Sequence, residues 1–183
     1  MTTLLVILLK GEKNAGASSI AQRFTKDKFE DCGRIPLFSA RKTKIGDYKV
    51  CIRLCEEDYS KSSRIDAFKK PSGILDGLIF IYDITDYTSW ENVQHKIDNL
   101  SWYDTFSHLI IVGNKCDLNE QRVVSVDEVR EYAQTKGLMN FEMSAKTSEN
   151  VEEAIIYLAH ALMLARVTKK LGERKKCDPV DQK

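Results

Sequence analysis

The 183-residue chain has no long apolar run. The longest, Leu4 to Leu9, is six residues, far short of the ~20 that a membrane-spanning helix needs. No basic segment leading into a long apolar stretch stands near the N-terminus, so no secretory leader is expected. Charge of one sign is lacking too. Lys and Arg number 28 against 27 Asp and Glu, a formal net charge of +1, which gives no global field for nucleic acid. Cysteine is sparse and odd in number: Cys32, Cys51, Cys55, Cys116 and Cys177. That pattern excludes a disulfide framework and suits free thiols in a reducing cytosol. Cys51 and Cys55 have no second ligand pair after them, so they make no zinc pattern. The three histidines, His95, His108 and His160, are scattered, and none pairs with a nucleophile. Repeats and low-complexity blocks are absent. What remains is ordinary: 43% hydrophobic and 30% charged residues, one domain's worth of chain, large enough for a single core.

Short apolar runs alternate with helical patterns. Leu4–Leu9, Leu78–Tyr82, Leu109–Val112 and Asn140–Met143 read as strands. Val50, Ile52 and Leu54 alternate with Cys51, Arg53 and Cys55, a period of two. Helices are expected over Ser18–Lys28, from Ser89 to about Leu100, over Val126–Lys136, and from Glu149 to about Thr168. The last carries Val151, Ala154, Ile155, Leu158, Ala159, Leu162 and Met163 on one face. Residues 29–47 are polar and broken by Gly33, Pro36 and Gly46, although the region 40–55 has the makings of one antiparallel hairpin. Residues 56–70 lose all periodicity and read as an exposed loop or a weak helix. Trp90, Trp102 and Tyr103 read as packing residues. This alternation predicts an α/β fold with a mainly parallel sheet and helices on both faces. In such sheets ligands bind beyond the carboxyl ends of the strands.

Three segments at those ends carry chemistry. Gly11-Glu12-Lys13-Asn14-Ala15-Gly16-Ala17-Ser18 has the spacing of a phosphate loop, G-x-x-x-x-G-K-[ST], with Ala17 where lysine belongs. A glycine-bounded loop running into a helix N-terminus still presents N–H groups to an anion. The candidate residues there are Gly11, Asn14, Ala15, Gly16, Ala17, Ser18 and Ser19. The Ser18 hydroxyl can also serve Mg²⁺, whereas Lys13 stands at the wrong spacing to replace the missing cation. Asn114-Lys115-Cys116-Asp117 follows one apolar strand, and Ser144-Ala145-Lys146 follows another. A carboxylate such as Asp117 accepts two parallel hydrogen bonds from the guanine N1–H and exocyclic amine. Adenine offers no such donor pair.

In this order, with Tyr82-Asp83-Ile84-Thr85-Asp86 between them, the segments resemble the Ras superfamily of small GTPases. The stretches 82–86 and 142–151 are most similar to the Rab family. The resemblance spans roughly residues 3 to 165 and is weak between 30 and 75. It implies a P-loop small G-protein fold with a six-stranded sheet, a G domain over residues 1–168, and a basic, flexible tail over 169–183. It also implies GDP or GTP as ligand, Mg²⁺ as cofactor, and effector or regulatory proteins as partners. Asp117 would read the guanine edge. The stem of Lys115 would lie along the base, and Asn114 would tie this loop to the phosphate loop. The Ala145 N–H would meet the guanine O6, supported by Ser144 and Lys146. Ser18 would be the Mg²⁺ ligand.

The departures are equally specific. No threonine or serine stands at the Mg²⁺-sensing place within Gly33–Phe38, and Ser39 and Thr43 are out of register. The family's Asp-x-x-Gly-Gln is replaced by Cys55-Glu56-Glu57-Asp58-Tyr59-Ser60-Lys61. That leaves Glu56 or Glu57 for outer-shell metal contact and removes the glycine and the water-orienting glutamine. Asn14 replaces a glycine. No catalytic residue is assigned. Phosphoryl transfer depends on positioning and charge stabilisation, so slow or absent hydrolysis is expected. Three readings stand: a Rab-like guanine-nucleotide-binding protein in vesicle traffic, a nucleotide-free pseudo-GTPase scaffold and, ranked last, an active hydrolase that uses unconventional residues or a partner's arginine. The tail bears Arg166, Lys169, Lys170, Arg174, Lys175, Lys176 and then Cys177. It suits either peripheral membrane contact or a solvated helix end. The last residues, Val180–Lys183, give no prenylation signal. A cytoplasmic protein, with membrane association through the tail, is the expectation.

Overall fold

The computed structural model describes residues 2–29, 38–56, 75–99 and 108–177. Six strands form one sheet in the order β2-β3-β1-β4-β5-β6. In chain order these are β1 (Thr2–Gly11), β2 (Phe38–Ile45), β3 (Tyr48–Glu56), β4 (Gly77–Asp83), β5 (His108–Asn114) and β6 (Met139–Glu142). Among the described residues only the β2–β3 hairpin is antiparallel; every other pair is parallel. The helices are α1 (Ala17–Lys26), α2 (Tyr87–Asp98), α3 (Val126–Lys136) and α4 (Val151–Cys177), with a 3₁₀ segment over Cys116–Gln121.

The apolar runs become strands because both of their faces are covered. In β1, Leu5, Ile7 and Leu9 join the core beneath α1 and α4, with Phe24, Ile155, Leu158 and Leu162. Val6 and Leu8 turn the other way, into a second core with Phe80 of β4, Trp90 and Val93 of α2 and Val129 of α3. Trp90 is a packing residue, as its place in the pattern predicts. It is fully buried, 5.1 Å from the Tyr82 ring and 5.3 Å from Tyr132, and its indole N–H donates to Glu128. Trp102 and Tyr103 lie outside the described residues.

Most boundaries shift by one or two residues from the pattern reading, and three differences have a physical cause. β2 occupies 38–45 within a stretch that reads as irregular. Its inward positions include Arg41 and Thr43, so apolar alternation is missing and backbone pairing to β3 holds it. α2 starts at Tyr87, because the Asp86 carboxylate caps it by accepting the Thr88 N–H at 3.0 Å. Ser89 instead accepts the Asp83 N–H and donates to the Asp86 carbonyl. α4 continues to Cys177 rather than ending near Thr168. Residues 169–177 contain no proline, and seven of the nine are lysine, arginine, leucine or glutamate, all good helix formers.

Candidate functional site

The phosphate loop sits where the sheet's central strand ends. A Cβ on Gly11 would stand 3.0 Å from the Ile81 carbonyl oxygen of β4 and 3.1 Å from the Ile81 Cβ. The loop then closes with Ala15 N–H donating to the Glu12 carbonyl at 3.0 Å. Asn14 takes φ +72° and Gly16 φ +95°. Asparagine tolerates this left-handed region better than most residues, so Asn14 keeps the backbone path that a glycine would take. Gly16 has no such freedom. A Cβ there would meet Asn114 Nδ2 at 2.2 Å. The loop runs into α1, which begins at Ala17.

Asn114 is the joint between loops. It is 2% exposed, its amide nitrogen donates to the Ala15 carbonyl at 2.8 Å, and its amide oxygen accepts the Ala145 N–H at 3.1 Å. One side chain thus brings together the phosphate loop and both base loops. Backbone bonds complete the joint. Met143 N–H donates to the Gly113 carbonyl at 2.8 Å, and Cys116 N–H to the Met143 carbonyl at 3.1 Å. Lys115 turns the chain at φ +68°.

Asp117 is held in this frame by Ser144, whose hydroxyl donates to its carboxylate at 2.6 Å. Ser144 in turn accepts the Thr147 N–H at 3.0 Å. The Lys146 ammonium lies 3.8 Å from the other Asp117 oxygen. The Lys115 ammonium pairs with Asp83, whose other oxygen takes the Thr85 N–H at 2.9 Å and hydroxyl at 2.7 Å. Burial first, then Glu149, pushes the Cys116 thiol up to about 11. It therefore stays neutral beside the carboxylates at physiological pH.

At the phosphate end the Ser18 hydroxyl donates to Glu56 at 2.5 Å. Burial raises the Glu56 carboxyl above its ordinary value, and the Ser18 bond opposes that shift. Ser18 keeps its lone pairs for a cation, and Glu56 can stand behind it as an acceptor. The two therefore fit a Mg²⁺ seat with an outer carboxylate. Glu57 and residues 33–37 lie outside the described residues. Ser39 and Thr43 do not reach the site. Thr43 pairs with Val50, and Val50 with Thr3, which places it eight residues of strand, about 26 Å, from Gly11. Ser39 pairs with Leu54 and so stands level with Ile7.

Several supporting residues escaped the sequence reading. Arg23 of α1 donates to the Ala145 and Lys146 carbonyls, both at 2.8 Å. It fixes the turn that carries Ala145 and Lys146; the Ala145 N–H, expected to meet the guanine O6, donates here to the Asn114 amide oxygen. Arg122 makes a two-pronged pair with Glu142 at 2.6 and 2.8 Å, and the Glu142 carbonyl accepts Asn150 Nδ2 at 2.9 Å. Lys96 of α2 pairs with Glu12 of the phosphate loop. The partners of Arg23, Arg122 and Lys96 lie 20 to 123 residues away in sequence, so no local pattern marks them. Asp83, Glu142 and Asn150 had a signal, their places in the 82–86 and 142–151 stretches.

A six-stranded, mostly parallel sheet with a glycine-bounded loop at its central strand defines a phosphate-loop α/β protein of small G-protein type. The comparisons agree. The Ras family model matches residues 5–164. The chain is 31% identical to the GTP-binding protein YPTM1 of Zea mays, over 98% of this chain and 88% of that protein. It is 30% identical to the Ras-related protein Rab-8 of Diplobatis ommata, over 98% and 86%, and 32% identical to the Ras-related protein RabZ of Dictyostelium discoideum, over 84% and 69%. The chain belongs to the Ras family and within it is most similar to the Rab proteins.

Proposed function

We propose that this protein binds guanine nucleotide and hydrolyses GTP slowly or not at all. The observation that carries the reading is the Asn114 joint, with its bonds to Ala15 and Ala145. It holds the base loops against the phosphate loop at hydrogen-bonding geometry. Gly11, Asn14, Ala15, Gly16, Ala17, Ser18 and Ser19 would take the phosphates on backbone N–H groups. Asp117 would take the guanine edge, Lys115 and Lys146 would flank it, and Ser144 and Ala145 would close the pocket. Mg²⁺ would neutralise phosphate charge, with Ser18 as its protein ligand.

The hydrolytic end supports no comparable reading. Ala17 supplies no cation to the outer phosphates, and phosphoryl transfer rests on such charge stabilisation. The Rab likeness favours a role in vesicle or membrane traffic, exercised through effector or regulatory proteins. The basic residues from Arg166 to Lys176 favour peripheral contact with an anionic membrane surface. A nucleotide-free scaffold is the second reading, and Ala17 is the residue that favours it.

Titration with fluorescent GDP, GTP-analogue and ADP derivatives in Mg²⁺ tests the proposal. Binding of both guanine nucleotides, none of the adenine one, and negligible single-turnover hydrolysis are expected. Absence of guanine-nucleotide binding would leave the scaffold reading. Brisk unaided turnover would remove the hydrolysis claim.

A further inference from the structure

The phosphate loop contains an acid that opposes anion binding. Between Gly11 and Ser18 the charged side chains are Glu12 and Lys13. Lys13 is exposed, so water and salt screen its charge. The Glu12 side chain is 31% exposed and keeps more of its field. An incoming phosphate therefore meets a carboxylate in the loop and, at Ala17, no cation to offset it.

The reach of that carboxylate matters as well. α1 starts from Gly16, which has no side chain to cap it, and its first turn holds no acidic residue. The N–H groups of Ala17, Ser18 and Ser19 precede the first helical bond, from the Ile20 N–H to the Gly16 carbonyl at 2.9 Å. N–H groups in that position attract a nearby carboxylate, and Glu12 belongs to the same loop. Its carboxylate goes elsewhere. Lys96 of α2, 84 residues further along the chain, holds it in an ion pair. Lys96 stands in the last turn of α2, where a lysine ordinarily serves the helix's own final carbonyls. Val93 and Ile97 bury their side of that turn in the second core, and the Lys96 ammonium crosses to the loop.

We infer that Lys96 is a positioning residue for nucleotide phosphate: it cancels the Glu12 charge and holds that carboxylate out of the N–H cradle. This role rests on the nucleotide-binding reading above and deepens it. With no lysine at position 17, the loop depends on one supplied by a distant helix. Two unit charges about 10 Å apart, at an effective dielectric of about 20, change a binding constant roughly tenfold. That is the scale on which Glu12 without Lys96 should repel a diphosphate, and a triphosphate more. An ion pair that only docks α2 onto the loop has a different signature, because loss of either partner then weakens binding alike.

Fluorescent GDP and GTP-analogue derivatives, titrated with Mg²⁺ into the full chain and its variants, make the test. Lys96→Met should weaken binding about tenfold, more for the triphosphate and less at high salt. Glu12→Gln should tighten binding, because the charge opposing Lys96 is then gone. The double variant should return near the parent. In an Ala17→Lys background the Lys96→Met effect should shrink, since the loop then has its own cation. Opposite signs from the two halves of one ion pair cannot come from loosened packing. Glu12→Gln and Lys96→Met weakening binding alike, or neither changing it, would overturn the inference. If the parent takes up no guanine nucleotide, inorganic pyrophosphate is the probe. Its uptake by Glu12→Gln, read as amide shifts in residues 11–19, would uphold the role of Lys96 while the nucleotide reading falls; no uptake would overturn both.

Discussion

Replacing Asn114 with alanine should loosen the whole cleft. The side chain is 2% exposed and serves two loops at once. Removing it leaves the Ala15 carbonyl and the Ala145 N–H without their partner. Each unsatisfied buried group costs about 1–3 kcal/mol. Water entering from the cleft will relieve part of that, so a loss of about 2–4 kcal/mol is expected. A domain of this size loses about 2–4 °C in melting temperature per kcal/mol, which gives a fall of roughly 4–16 °C. The phosphate loop and the 144–147 turn would then move independently, so bound guanine nucleotide should also leave faster. Urea unfolding without nucleotide reads the first effect, and release of a fluorescent GDP derivative reads the second. A stability loss under about 0.5 kcal/mol, the range of an ordinary surface substitution, would refute the argument that Asn114 joins the loops.

Three further outcomes follow from the same geometry. Ala17→Lys should restore a cation at the outer phosphates; a charged hydrogen bond of about 1.5–3 kcal/mol corresponds to roughly 10- to 150-fold tighter GTP binding, and unchanged affinity by titration would count against the loop's assignment. Burial raises the Glu56 carboxyl, so the native state holds its proton more tightly than the unfolded chain, and the stability this brings is complete below the ordinary value near 4.5 and lost as pH rises through the native one. Glu56→Gln, which still accepts the Ser18 hydroxyl, should therefore match the parent in acid and exceed it at neutral pH in urea midpoints; a parent that gains on the variant as pH rises would contradict the burial. Lys44 and Lys49 stand directly opposite one another on β2 and β3, so Lys49→Glu should relieve their repulsion and stabilise the protein by about 0.2–1 kcal/mol, read as a small rise in melting temperature; a fall would mean that the lysine pair is compensated.

The parts of the site that sequence made legible are contiguous. Asn114-Lys115-Cys116-Asp117, Ser144-Ala145-Lys146 and Gly11–Ser18 each owe their geometry to one strand end, so spacing along the chain is enough to identify them. Arg23, Arg122 and Lys96 are different. Each acts on a partner brought close only by the sheet, and an arginine on a helix surface has no local feature that distinguishes it from a solvated one. The Ser18–Glu56 bond lies between. Glu56 was visible as an acidic residue after β3, but its direct reach to the hydroxyl follows from the β1–β3 register, which sets Glu56 level with Leu9. β2 was obscured because Arg41 occupies an inward position. Its guanidinium is held by Glu152 at 2.8 Å and lies 5.0 Å from the Phe24 ring, so a charged residue stands where alternation calls for an apolar one.

The central claim is that the base end of the cleft is assembled and competent while the phosphate end has lost its charge. The most direct measurement is to purify the protein with Mg²⁺, heat it, and separate the supernatant by anion exchange. GDP or GTP in near-stoichiometric amount is the predicted result. A supernatant without nucleotide, from protein that also fails to take up added GDP, would contradict it, as would an adenine nucleotide in guanine's place.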